Sequence, residues 1–372
     1  MIRKSWLIAM VSLTVGCSST KNAQNSKDKV LQPKEVMSVM QKVADWQIAD
    51  IREHNIVSDD WTYGALYTGL LAYGNLSGDK KYDDFLIDIG NKLDWNTGKH
   101  RFMADDYCVG QMYSILYSKY KEPKMLAKFI PQADSIIANP HTESLEFKGD
   151  VYNREWAWCD ALFMAPPALA YLSTATHNIK YLNIANKLWW KTTNFLYDTA
   201  EHLYFRDSRY FDKKEANGAK VFWSRGNGWV MGGLVRMLDN MPANYPNRAK
   251  YETLFKQMAK KVASLITSDG TWHASLLDPA SFPSKETSGS GFYCYALTWG
   301  IRHGLLPYKE YFPVVEKSWD ALVASVHPDG KLGFVQEIGA APGKTTYDDT
   351  QVYGVGAFLL AGTELYLLET HK

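Results

Sequence analysis

The chain has 372 residues, 46% of them hydrophobic, which is ample for a substantial core and excludes wholesale disorder. Its formal net charge is +1, and no Lys/Arg cluster is interleaved with aromatics, so a nucleic-acid-binding face is excluded. Aromatics make up 14%, with 13 Trp and 23 Tyr, more than the core needs; flat rings with polar tips suit the apolar faces of sugars, although large core residues are the plainer use of any single Trp.

At the N-terminus, Arg3 and Lys4 precede an apolar run from Trp6 to Val15 that is too short to span a bilayer, the pattern of an export signal. Leu13-Thr-Val-Gly-Cys17 resembles a bacterial lipobox, with Leu13 one place further from the cysteine than usual. The expected organisation is a signal over residues 1–17 with Cys17 lipidated, a polar tether over 18–32, and a single domain over 33–372. Such a protein is an exported lipoprotein of the periplasm or outer membrane, touching the membrane only through its lipid. Cys108, Cys159 and Cys294 remain, an odd number without close spacing, so no disulfide framework is implied. The nine His residues form no set with metal-ligand spacing, and no phosphate- or dinucleotide-binding glycine loop occurs; no metal or cofactor is expected.

From there on, helical periodicity recurs as hairpins. A helix over 62–75 ends at Asn75-Leu-Ser-Gly-Asp79, where Gly and Asp supply turn and cap chemistry, and a second helix runs to about 95. Further pairs are expected at 106–119 with 122–138, 158–174 with 179–197, 226–240 with 247–267, and 289–304 with 308–326. The last apolar helix, from Gln351 to about Leu368, lacks a following partner, and the first, from Pro33 to about Asn55, lacks a preceding one. Joining them makes a sixth pair and closes a ring. First helices rich in Gly and Ala alternate with more amphipathic second helices, which predicts an all-α fold, an (α/α)6 barrel with inner and outer layers.

Four loop-to-inner-helix junctions are loaded with polar groups beside aromatics: Ala104-Asp-Asp-Tyr-Cys-Val-Gly110, Trp156-Ala-Trp-Cys-Asp-Ala161, Phe222-Trp-Ser-Arg-Gly-Asn-Gly-Trp229 and Glu286-Thr-Ser-Gly-Ser-Gly-Phe292. In such a barrel all four open on one mouth, where a ligand binds. Asp160, set among Trp, Phe and Met, has the desolvated surrounding that lets a carboxyl hold a proton near neutrality. For every acid here the plainer role is a helix cap, and that role fits one of Asp105 and Asp106 well. Asp160 with Asp106 is the expected acid pair. Arg225 is expected either to pair with a structural carboxylate or to fork onto a substrate carboxylate.

Together, Trp158-Cys-Asp-Ala-Leu-Phe-Met-Ala-Pro166, Trp223-Ser-Arg-Gly-Asn-Gly-Trp229, Thr287-Ser-Gly-Ser and Tyr353-Gly-Val-Gly-Ala-Phe-Leu-Leu-Ala361 resemble glycoside hydrolase family 105, the unsaturated rhamnogalacturonyl hydrolases, and the related family 88 of unsaturated glucuronyl hydrolases. The resemblance runs from about Pro33 to the C-terminus. It implies an (α/α)6 barrel, no metal, and an oligosaccharide partner ending in a 4,5-unsaturated uronate. The implied reaction protonates C4 and adds water at C5, and the resulting hemiketal opens and expels the next sugar. On this resemblance Asp160 is the general acid/base and Asp106, or its neighbour Asp105, the second acid. Substrate contacts are expected from Asp105, Trp61, Tyr63, Trp158, Met164, Arg206, Trp223, Arg225, Trp229, Thr287 and Ser288. One departure stands out: where many members have His-x-Trp-Asp, this chain has Leu203-Tyr-Phe-Arg-Asp207, putting Arg206 where a neutral donor is expected and leaving galacturonyl and glucuronyl substrates both open. A uronate-directed lyase on the same barrel and a non-catalytic glycan-binding lipoprotein are the competing readings.

Overall fold

A computed structural model describes residues 31–370; Cys17, the signal and the tether up to residue 30 lie outside the described residues. Twelve α-helices make up the described chain: α1 (Pro33–Glu53), α2 (Trp61–Ser77), α3 (Lys80–Lys92), α4 (Gly110–Tyr120), α5 (Phe129–Ala138), α6 (Ala161–Thr176), α7 (Lys180–Leu196), α8 (Ser224–Asp239), α9 (Arg248–Ala263), α10 (Thr287–Arg302), α11 (Tyr308–Val323) and α12 (Val352–Thr370). Even-numbered helices pack on one another in succession, and α12 packs on α2 to close the ring, with α1 against α12 as the sixth pair. This is the (α/α)6 toroid expected from the hairpin pattern.

The two layers differ as their sequences do. Outer α1 buries Val36, Met40, Val43, Ala44, Gln47, Ile48 and Ile51, a single stripe at helical spacing. Inner α8 and α10 are buried over nearly their whole length, and α12, the one described helix long and apolar enough to cross a membrane, lies instead inside the barrel. Close inner packing needs missing side chains: a Cβ on Gly69 would sit 2.5 Å from the carbonyl oxygen of Gly356, and one on Gly356 would sit 2.4 Å from that of Ala65. Local punctuation behaves as the residues dictate. Asp60 caps α2 by accepting from the Thr62 N–H, Gly78 ends it in the left-handed region at φ 70°, and Asp79 caps α3.

Two expected helices are broken. The stretch 106–119 divides into a 3-10 turn, Asp105–Tyr107, and α4, while 122–138 divides into a 3-10 turn, Pro123–Met125, and α5. Helix α6 starts at Ala161 rather than 158 and continues through Pro166 and Pro167. A proline at 167 cannot donate to the Phe163 carbonyl, and the Gln111 side-chain amide from α4 donates to it instead, at 2.9 Å.

Candidate active site

The site is built where the inner helices begin. Trp61, first residue of α2, stacks on Tyr353 at the start of α12 (5.5 Å between ring centroids), and both rings approach Trp229 of α8, at 5.9 and 6.0 Å. Inner-helix N-termini therefore gather at one end, where their positive dipole ends favour an anionic ligand. Three clefts of about 300, 400 and 220 Å³ lie elsewhere, between outer helices, and none is lined by Asp160.

Asp160 occupies the cap position of α6 with helical backbone angles, yet its side chain makes no capping bond. It is 8% exposed, and burial raises its pKa, with Arg206 the main opposing influence. Its Oδ2 accepts from the Cys159 thiol at 3.4 Å and lies 3.7 Å from Arg206 Nε. Asp105, from the turn before α4, is pushed up to about 8, first by burial and then by the Asp160 charge. Burial raises both carboxyls, Asp160 raises Asp105 further, and Arg206 opposes both shifts, so the two groups titrate in dependence on one another.

Structure separates Asp105 from Asp106. Asp106 Oδ2 accepts from the backbone N–H of His100 and lies 3.1 Å from His100 Nδ1, while its carboxyl packs so tightly on Gly98 that a Cβ there would fall 2.2 Å away. It anchors the loop before α4. Asp105 is the member that interacts with Asp160.

The remaining residues divide in the same way. Arg206 bonds Asp207 through its terminal nitrogen at 2.7 Å, and its guanidinium lies 5.0 Å over Phe147. Arg225, fully buried, spends its two terminal nitrogens on the backbone carbonyls of Gln336 and Glu337, at 2.7 and 2.8 Å, sandwiched between Trp223 and Tyr353. Trp223 donates to Gln336 Oε1 at 3.0 Å, so this motif pins the loop that follows α11 over the mouth. Thr287 donates to the Gly333 carbonyl and Ser288 to Glu286, which caps α10; both hydroxyls are buried and committed within the protein. Trp229 and Met164 are core residues; Trp158 is 3% exposed, edge-on to Phe147. Trp61 and Tyr63 keep partly open faces.

Tyr353 behind Trp61 and Gln336, Glu337 and Phe147 as supports were not singled out from the sequence, whereas Asp207 lies beside Arg206 in the chain. Asp207 is 0% exposed and accepts from Arg206 and from the backbone and side chain of Arg209. Burial of an acid flanked by two arginines in sequence is the signal that pointed to it; the 336–337 loop carries no local signal.

A closed helical toroid whose Asp160 and Asp105 carboxyls interact is the frame of a carbohydrate-active enzyme of the (α/α)6 class. Residues 32–368 match the profile described as Glycosyl Hydrolase Family 88, and the chain belongs to that family: it is a glycoside hydrolase. It is 38% identical, over 98% of its length and 100% of the relative's, to an unsaturated 3S-rhamnoglycuronyl hydrolase of Formosa agariphila. Among solved structures, a glycosyl hydrolase family 88 protein from Bacteroides vulgatus superposes with a TM-score of 0.83 at 28% identity, covering 91% of this chain and 99% of that one. A structure described as a polysaccharide lyase superposes equally well, with a TM-score of 0.83, 29% identity and the same coverage of 91% and 99%. The resemblance to families 105 and 88 holds, and the matching profile is that of family 88.

Proposed function

We propose that this chain hydrolyses unsaturated rhamnoglycuronyl oligosaccharides, the substrate class for which its Formosa relative is named, by hydrating the C4=C5 bond of the terminal unsaturated uronate. The observation that carries this reading is the Asp160–Asp105 pair at the mouth, two carboxyls whose pKa values burial raises where the inner-helix N-termini await an anion. Asp160 delivers a proton to C4, water adds to C5, and the hemiketal opens to expel the next sugar. Asp105, rather than Asp106, is the second acid, because Asp106 is spent on His100 and Gly98. Trp61 and Tyr63, which keep partly open faces, wall the sugar, and the buried Tyr353 backs Trp61 from behind. Arg225, Trp223, Thr287 and Ser288 act behind the surface by fixing the loops around the mouth.

Loss of the conjugated absorbance of lyase-generated unsaturated oligosaccharides tests the reading. Wild-type protein is expected to abolish the absorbance, and Asp160→Asn to leave it intact while still binding the oligosaccharide. Turnover by the variant at the wild-type rate refutes it. A lyase, the reading favoured by the superposable lyase structure, instead creates absorbance from intact polysaccharide. Running lyase products of galacturonate- and glucuronate-containing polymers side by side resolves which glycosidic linkage and leaving sugar are accepted, because elimination across C4 and C5 makes the terminal uronates themselves alike. The exported, lipid-anchored organisation belongs to the same proposal: Cys17→Ala should move the protein from the membrane fraction to the soluble one, and an unchanged distribution sinks it.

A further inference from the structure

Asp160 has two unlike oxygens. Oδ2 takes the Cys159 thiol at 3.4 Å and faces Arg206 Nε at 3.7 Å, whereas Oδ1 makes neither contact. Arg206 Nε is itself a buried donor with no hydrogen-bond partner. A separation of 3.7 Å is too long for a hydrogen bond, and an unpaired buried N–H costs free energy until something accepts it.

The guanidinium is held in that poised position from several sides. Asp207 fixes its terminal nitrogen at 2.7 Å and is locked in turn by the backbone and side chain of Arg209. The Arg206 carbonyl accepts from the Cys159 N–H at 2.9 Å, tying its backbone to the segment that carries Asp160. Two residues upstream, Asn227 of α8 clamps Tyr204 by accepting from its N–H at 2.7 Å and donating to its carbonyl at 3.0 Å. The other groups facing Asp160 are Cys159 on its own segment, Asp105 from the turn before α4, Tyr210 from the segment after Arg206, and Arg225 from α8. Arg225 has both terminal nitrogens committed to backbone carbonyls. Arg225 Nε is also buried without a partner, but among the described residues it is Arg206 whose Nε comes within ion-pair reach of Asp160, at 3.7 Å, so Arg206 is the cation directed at the acid.

We propose that Arg206 is a positioning residue whose Nε–H closes onto Asp160 Oδ2 as Oδ1 gives up its proton, stabilising the carboxylate that forms in the transition state more than the acid present before it. The inference rests on Asp160 being the general acid. In the step, the O–H bond at Oδ1 breaks and its electron pair stays on the carboxylate, while the C4=C5 pair forms the new C4–H bond. The positive charge left at C5 takes the water oxygen, and the surplus water proton returns to the carboxylate. A contact that is weak to a neutral acid and strong to its anion lowers the barrier without tightening substrate binding. The position that carries a neutral donor in the resembled pattern thus supplies, in this chain, a fixed counter-charge to the acid.

Steady-state kinetics of Arg206→Gln and Arg206→Lys on the unsaturated oligosaccharide, across pH 5 to 9, test this. Arg206→Gln is expected to lower kcat on the order of a hundredfold with KM nearly unchanged. It should also move the alkaline limb of the kcat profile to higher pH, because without the cation the acid keeps its proton longer. Arg206→Lys, which retains charge against Asp207, should show a smaller fall and a smaller displacement, and it decides the question if the glutamine variant fails to fold. A change confined to KM, an unchanged kcat, or a loss of kcat with the limb at its wild-type position overturns the proposal. Absorbance loss by wild-type protein and its absence in Asp160→Asn secure the general-acid reading independently, so failure of the Arg206 role is distinguishable from failure of that reading.

Discussion

Replacing Asp105 by Asn removes a titrating group and keeps its shape, and it should change how stability depends on pH. In the unfolded chain this carboxyl ionises near 3.8, whereas in the folded protein burial and Asp160 hold it protonated up to about 8. The folded state thus binds more protons across that window, so the contribution to stability is complete below the unfolded value and is lost as pH rises through the folded one. Between pH 5 and pH 8 the separation is roughly three pH units, and at 1.36 kcal/mol per unit the loss reaches about 4 kcal/mol as an upper limit. Sharing of the proton with Asp160 brings the expected figure to about 2–3 kcal/mol. Urea unfolding at half-unit pH steps, with the slope constant, measures it. Wild-type protein should lose that amount from pH 5 to pH 8, Asp105→Asn should lose much less, and the variant should be the more stable of the two at pH 8. Parallel profiles would refute the reasoning, showing that Arg206 neutralises an ionised Asp105 at no cost.

Three further outcomes are expected. Asn227→Ala strips two buried backbone groups of Tyr204 of their partner, costing about 2–4 kcal/mol by denaturant unfolding, and kcat should fall because the Arg206 segment loosens. Gly233→Ala places a Cβ 2.3 Å from the Leu162 carbonyl oxygen in the inner ring, so a loss of about 3 kcal/mol or more should appear as a lower Tm and poor soluble yield. Trp61→Ala removes the partly open ring that stacks on the buried Tyr353; KM should rise about tenfold with Tm changed by only a few degrees, and an unchanged KM would remove Trp61 from the substrate site.

Helix order and layer assignment could be read from the chain because each rests on local physics. A Gly/Ala-rich helix buried all round and an amphipathic helix with one apolar stripe leave different patterns, and Gly78-Asp79 marks a boundary by its own conformational preferences. The breaks before α4 and α5 were not legible. The one before α4 lies where Tyr107 bonds the carbonyls of Arg101 and Gln132 and the Asp106 carboxyl binds the 98–100 loop, contacts that helical periodicity does not display.

Within the site, residue order alone reveals an acid at 160 among aromatics, a double aspartate ahead of the preceding inner helix, and an arginine at 206 in place of a neutral donor. Residue type and neighbouring hydrophobicity carry that much, because burial follows from them. Which aspartate faces Asp160, whether Arg225 grips ligand or loop, and whether Thr287 and Ser288 have free hydroxyls were decided by tertiary structure alone. Each depends on where partners far away in sequence fall: His100 for Asp106, the Gln336–Glu337 carbonyls for Arg225, Gly333 for Thr287, and the Glu286 cap for Ser288. A hydrogen bond is satisfied by a position in space, and only closing the ring of helices fixes those positions.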